Sequence, residues 1–132
     1  MCGDSYDIQY RIAEIGDSMI RVTIYQNTSS HKYFGFRMEG HAEFAAYGSD
    51  IVCAAVSALV INTINSIEAL TEDTFEDAVH QEKDVVSFQI TSKPVSEKAE
   101  LLLDSLVLGL QSVAKEYGKK YICLKITRKQ EV

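Results

Sequence analysis

The chain has 132 residues, 46% of them hydrophobic and 24% charged, the size and make-up of one globular domain with a single core. One proline and seven glycines leave no room for linkers or low-complexity segments. A net charge of −6 argues against direct contact with nucleic acid and favours a basic partner.

The N-terminus MCGDSYD lacks the basic-then-apolar pattern of a secretion signal. No apolar run is expected to reach the roughly 18–20 residues of a membrane span. A cytoplasmic location is therefore expected. Cys2, Cys53 and Cys123 are odd in number and match no metal-ligand spacing, so reduced thiols and no metal or organic cofactor are expected.

In residues 1–18, Tyr6, Ile8, Tyr10 and Ile12 alternate with Asp7, Gln9 and Arg11, which suggests an extra strand. From Met19 to Gln26 the alternation of Ile20, Val22 and Ile24 with Arg21, Thr23 and Tyr25 predicts a strand. Asn27-Thr28-Ser29-Ser30 reads as a turn. A second strand follows from Lys32 to Glu39, with Phe34, Phe36 and Met38 on one face. The two form an antiparallel hairpin that delivers Gly40 and His41 at a strand end.

The loop from Ala42 to Ser49 carries Phe44, Tyr47 and Gly48. Its aromatic residues suit either a lid over a site or an anchor to the core. A helix then runs to Leu70, with Asp50 as its N-cap and Cys53 as its third helical residue. Val52, Val56, Leu59, Val60, Ile64, Ile67 and Leu70 form its core-facing side, and Ser57 follows Cys53 at i+4.

Thr74 to Val79 predicts a short acidic edge strand, with His80 and His31 as surface histidines. Asp84 to Thr91 is a clearer strand, ended by Lys93-Pro94. Ser96 caps a second helix from Glu97 to Tyr117, with a stripe of Ala99, Leu103, Leu106, Leu110, Val113 and Tyr117. Leu101, Leu102, Val107 and Leu108 widen that stripe, which implies burial on more than one side or an interface. Gly109 inside a helix costs about 1 kcal/mol against alanine and implies a close helix crossing. Gly118 stops the helix, and Tyr121 to Thr127 is the last strand, with Cys123 as a structural residue within it. The order β-β-α-β-β-α-β gives an α+β, two-layer domain with a largely antiparallel sheet of about five strands and two helices.

Chemistry concentrates between Gly40 and Ser57. A thiol near a helix start lies close to unpaired N–H groups and the positive end of the macrodipole, and both favour the thiolate. An imidazole on the loop leading into that helix can serve as its base. Each residue also has a plain structural explanation. Cys53 fits a small buried hydrophobe, His41 a surface loop histidine, Asp50 a helix cap and Ser57 an ordinary helical serine. Two other function classes stay open: a non-catalytic peptide-binding module, which the resemblance described next would place in the translation machinery, and another thiol-dependent acyl-transfer enzyme.

The series Gly40-His41-Ala42, Gly48, Asp50-Ile51-Val52-Cys53-Ala54 and Ser57, with Cys53 twelve residues after His41, resembles the ribosomal-processing cysteine protease (Prp) family of bacteria. The resemblance is dense over this stretch and looser from Met19 onward. It implies Cys53 as nucleophile and His41 as base, with Gly40, Asp50 and Ser57 as supporting or substrate-binding residues. It implies a cysteine endopeptidase that removes a short N-terminal extension from large-subunit ribosomal protein twenty-seven, a basic precursor, cutting after aromatic residues. It also implies a homodimer, and a protease domain over 19–132 preceded by an additional segment, 1–18. Family members begin near the segment MIRVTIYQN, which makes Met19 a candidate start; the intact mass of the native protein distinguishes it from Met1.

Overall fold

The computed structural model describes residues 20–40, 49–80, 85–118 and 120–130. Five strands and two helices follow in the expected order: β1 (Ile20–Asn27), β2 (Tyr33–Glu39), α1 (Ser49–Leu70), β3 (Phe75–His80), β4 (Val85–Ile90), α2 (Glu97–Tyr117) and β5 (Ile122–Lys129). The strand order across the sheet is β3-β4-β2-β1-β5. Three neighbouring pairs are antiparallel and the β1–β5 pair is parallel, so the sheet is mixed but largely antiparallel. The α2 crossover from β4 to β5 supplies the length that a parallel pairing requires.

Alternation along each strand sorts the sheet into two faces. Ile20, Val22 and Ile24 of β1, Phe36 and Met38 of β2, Phe88 and Ile90 of β4, and Ile122 and Leu124 of β5 are all buried. They meet Val52, Val56, Val60 and Ile67 of α1 and Ala99, Leu103, Leu106, Val107 and Leu110 of α2. Phe36 stacks on Phe88 with ring centroids 5.1 Å apart, which ties β2 to β4 through the core. On the other face, Arg21, Thr23 and Tyr25 stand opposite Glu39, Arg37 and Gly35. Gly35 is required there by packing: a Cβ at this position would lie 2.5 Å from the carbonyl oxygen of Phe88.

Several expectations change on contact with the structure. β5 continues to Lys129 rather than ending at Thr127, because β1 pairs with it over its whole length. Cys123 is buried in β5 and disulfide-bonded, so the expectation of reduced thiols throughout does not hold there. Leu101 and Leu108 are 68% and 66% exposed, so α2 buries one side and leaves these two leucines facing outward. The residues Ile51–Leu70 of α1 are long and apolar enough to cross a membrane, against the sequence reading. The same helix lays its buried valines against the sheet, as a core helix does. The suggested strand within 1–18 lies outside the described residues.

Gly109 does mark the helix crossing. A Cβ there would sit 3.2 Å from Cδ1 of Leu59 on α1. Gly118, with φ 87°, closes α2 by donating its N–H to the carbonyl of Ala114.

Candidate active site

α1 begins at Ser49, so Asp50 lies inside its first turn and does not precede it. Cys53 is then the fifth residue of the helix rather than the third. The backbone N–H groups of Ser49, Asp50 and Ile51 precede the first intrahelical bond. They lie one turn below Cys53, at the positive end of the helix.

The Cys53 thiol is free and half-buried. It packs at the margin of the core between two fully buried neighbours in the helix pattern, Val52 and Val56. These valines fix the helix rotation and leave the sulfur at the boundary between core and solvent. Ser57, one turn further on, is half-buried as well. The two side chains share one helix face, as their spacing requires.

Gly40 follows β2 with φ 92°, a conformation that glycine adopts without strain. It turns the chain off the strand end toward His41. The strand end itself is pinned. Glu39 accepts from Arg21 at 3.4 Å across the β1–β2 pair and from Arg37 at 3.3 Å along its own strand. These ion pairs are partly exposed, so each is worth no more than about 1 kcal/mol. Their service is to hold the end of β2 in place. His41 and the loop through Gly48, with Phe44 and Tyr47, lie outside the described residues, as do the side chains of Asp50 and His80.

Among the described residues, no group of three or more His, Cys, Asp or Glu side chains is arranged to hold a metal ion. A depression of about 530 Å³ opens at the far end of α1, lined by Thr71, Asp73, Ser92, Pro94 and Ser96 among others. It lies seventeen residues along from Cys53, about 25 Å by helix rise. Asp73 organises that end. It accepts from the hydroxyl of Ser92 at 2.9 Å, from the backbone N–H of Ser96 at 3.0 Å, and from the Ser96 hydroxyl. Burial pushes its carboxyl upward, but the bonds from Ser96, Ser92 and Thr71 outweigh that and hold it below the usual carboxylate range. Ser96 in turn caps α2 by accepting from Ala99 N at 3.1 Å. Every oxygen of this node is engaged within the protein, which marks it as structural.

The decisive comparison is with a family model. Residues 19–122 match the model described as cysteine protease Prp. The chain belongs to that family. It is a cysteine protease, a hydrolase, by membership. The ribosomal processing cysteine protease Prp of Bacillus subtilis (strain 168) is 30% identical over 104 residues, covering 75% of this chain and 90% of that protein. Prp from Staphylococcus aureus, solved in complex with a substrate peptide, superposes with a TM-score of 0.76 at 28% identity. A second structure of the Staphylococcus aureus protease, with a covalently linked product peptide, gives 0.72 at the same identity. Both alignments cover 83% of this chain and 100% of the solved chain. The family that the resemblance implied, and the α+β fold that the element order implied, are thereby established for this chain.

The site is thus legible in part from geometry. Cys53 and Ser57 share the helix face, and Gly40 turns the chain at the strand end. The Arg21–Glu39–Arg37 group that secures this strand end was not singled out in the sequence. Its signal was present in the alternation, since all three residues fall on one face of the hairpin.

Proposed function

We propose that this chain is the endopeptidase that removes the N-terminal extension of large-subunit ribosomal protein twenty-seven, acting in the cytoplasm. The observation that carries the reading is the free, half-buried thiol of Cys53 near the start of α1, within a stretch that matches the Prp protease model. The relatives named for ribosomal processing, and the Staphylococcus aureus structures with substrate and product peptides, support a peptide substrate of this kind.

In the proposed mechanism, His41 takes the proton of the Cys53 thiol. The thiolate sulfur attacks the scissile carbonyl carbon and forms a C–S bond. The carbonyl oxygen gains negative charge, and backbone N–H groups at the start of α1, near Cys53, are its candidate donors. The intermediate collapses, the C–N bond breaks, and the leaving amine takes the proton from His41. Water, deprotonated by His41, then hydrolyses the thioester and returns the thiol. Gly40 lets the substrate backbone approach beside His41. Asp50 orients His41 or stabilises the helix start, and Ser57 supports the thiol from one turn along. No cofactor takes part.

The protease domain is residues 19–132, with 1–18 as an additional segment. A homodimer is part of this reading. The outward leucines Leu101 and Leu108 on α2, and Ile51 and Ile61 on α1, each at least half exposed, supply an apolar surface for it.

The test is cleavage of the precursor by the wild-type chain, Cys53→Ala, Cys53→Ser and His41→Ala, with products read by mass spectrometry. A single defined cut by wild type, lost in all three folded variants, is the expected result. Cutting that persists without Cys53 overturns the assignment of the nucleophile.

A further inference from the structure

β3 ends the sheet and pairs with β4 on one side only. Among the described residues nothing pairs with its other side, the side on which an extended chain could add. The strand is six residues long, about 20 Å of backbone. Glu76 and Asp77 are exposed and form no ion pair with a described residue, and Val79 beside them is 59% exposed. The opposite edge, β5, carries Lys125, Arg128 and Lys129. The sheet is polarised, acidic at one edge and basic at the other. A chain that adds to β3 is therefore selected for positive charge.

The register ties this edge to the site. His80 stands opposite Val85, and Val85 stands opposite Glu39, the residue before Gly40. The C-terminal end of β3 thus lies two strand spacings, about 10 Å, across the sheet from the strand end that feeds His41. α1 ends at Leu70, shortly before β3 begins at Phe75, so it runs back over the sheet with its Cys53 end toward these same strand ends. On the face away from the helices, a trough of about 230 Å³ crosses the sheet from Glu76, Ala78, Ser87 and Gln89 on β3 and β4 to Tyr25 and Lys129 on β1 and β5.

We propose that the outer edge of β3 is a substrate-docking exosite. An extended basic segment of the precursor, outside the extension that is cut, adds to β3 as a sixth strand. Its lysine or arginine side chains meet Glu76 and Asp77, and the extension is delivered toward Cys53. This inference rests on the proteolytic reading above. An edge whose charges only deter aggregation would show none of the behaviour below.

The test compares two substrates, the full-length precursor and a short peptide spanning only the cleavage site. In the double variant Glu76→Lys/Asp77→Lys, the ratio of kcat/KM for precursor to that for peptide falls about tenfold at low salt, mainly through KM. Glu76→Gln/Asp77→Asn gives an intermediate ratio, and added salt erodes the wild-type preference. Hydrogen exchange on Cys53→Ala with the precursor bound shows slowed amides within Phe75–His80. An unchanged ratio with no protection of β3 overturns the proposal. So does an altered oligomeric state with an unchanged ratio, which assigns the edge to the basic β5 of a second copy. If wild type cleaves neither substrate, the protease reading is what fails. Exchange protection at β3 then reports docking independently.

Discussion

The two ends of α1 are built on opposite terms. At its C-terminal end, Asp73 gathers bonds from Ser92 and Ser96 and joins the helix exit, the end of β4 and the start of α2. At its N-terminal end, Cys53 stands half-buried and free, one turn above the start of the helix. A depression of about 530 Å³ opens at the C-terminal end, whereas the free thiol stands at the other. Concavity alone does not locate a site. A carboxylate whose bonds are made inside the protein has little left to offer a substrate, whereas a free thiol at the core margin does.

That contrast breaks most sharply at Cys53. Cys53→Ala is expected to lower precursor cleavage by at least about a thousandfold while the chain keeps its fold, read by product mass and circular dichroism. Gly35→Ala sharpens the comparison with the rigid sheet between the two ends. A methyl group would meet the Phe88 carbonyl oxygen at 2.5 Å, and backbone cannot swing aside. A loss of about 1–3 kcal/mol in denaturant unfolding is expected.

Asp73→Asn should cost about 1–2 kcal/mol, reduced by partial exposure, and leave cleavage by the folded chain unchanged. Its pH dependence has a definite sign. The folded carboxyl titrates below its unfolded value, so its contribution is fully present above about pH 4 and is lost as pH falls through the folded value. Urea midpoints of wild type and Asp73→Asn should therefore converge on acidification below about pH 4 and stay apart above it. The smallest effect belongs to Gly109→Ala. A gain in helix propensity of up to about 1 kcal/mol opposes the 3.2 Å contact with the flexible tip of Leu59, so the melting temperature should move little.

The order of elements was legible because each has a clean period. Ile20-Val22-Ile24 and Phe36-Met38 alternate, while Val52-Val56-Val60 recur at helical spacing. Ser96 and Gly118 mark the ends of α2 as their residue types predict. The strand order was not legible, since the parallel partnership of β1 with β5 joins the two ends of the described chain and leaves no local mark. Nor could hydrophobicity separate Val107, which is buried, from Leu108, which is not. Asp73 looked like one more acid in the run TEDTFED, because its partners come from Ser92 and Ser96, about twenty residues away. The Cys53 helix was legible through its specific motif, while the exact first residue of that helix depended on backbone bonds the sequence does not display.

The most direct test of the division between the two ends is a crossed comparison of Cys53→Ser and Asp73→Asn, each assayed for precursor cleavage and for thermal unfolding. Cys53→Ser should abolish the cut and leave the melting temperature near wild type, and Asp73→Asn should lower the melting temperature and leave the cut intact below it. A Cys53→Ser chain that still cleaves at the same bond, or an Asp73→Asn chain that is stable but inactive, would contradict the account.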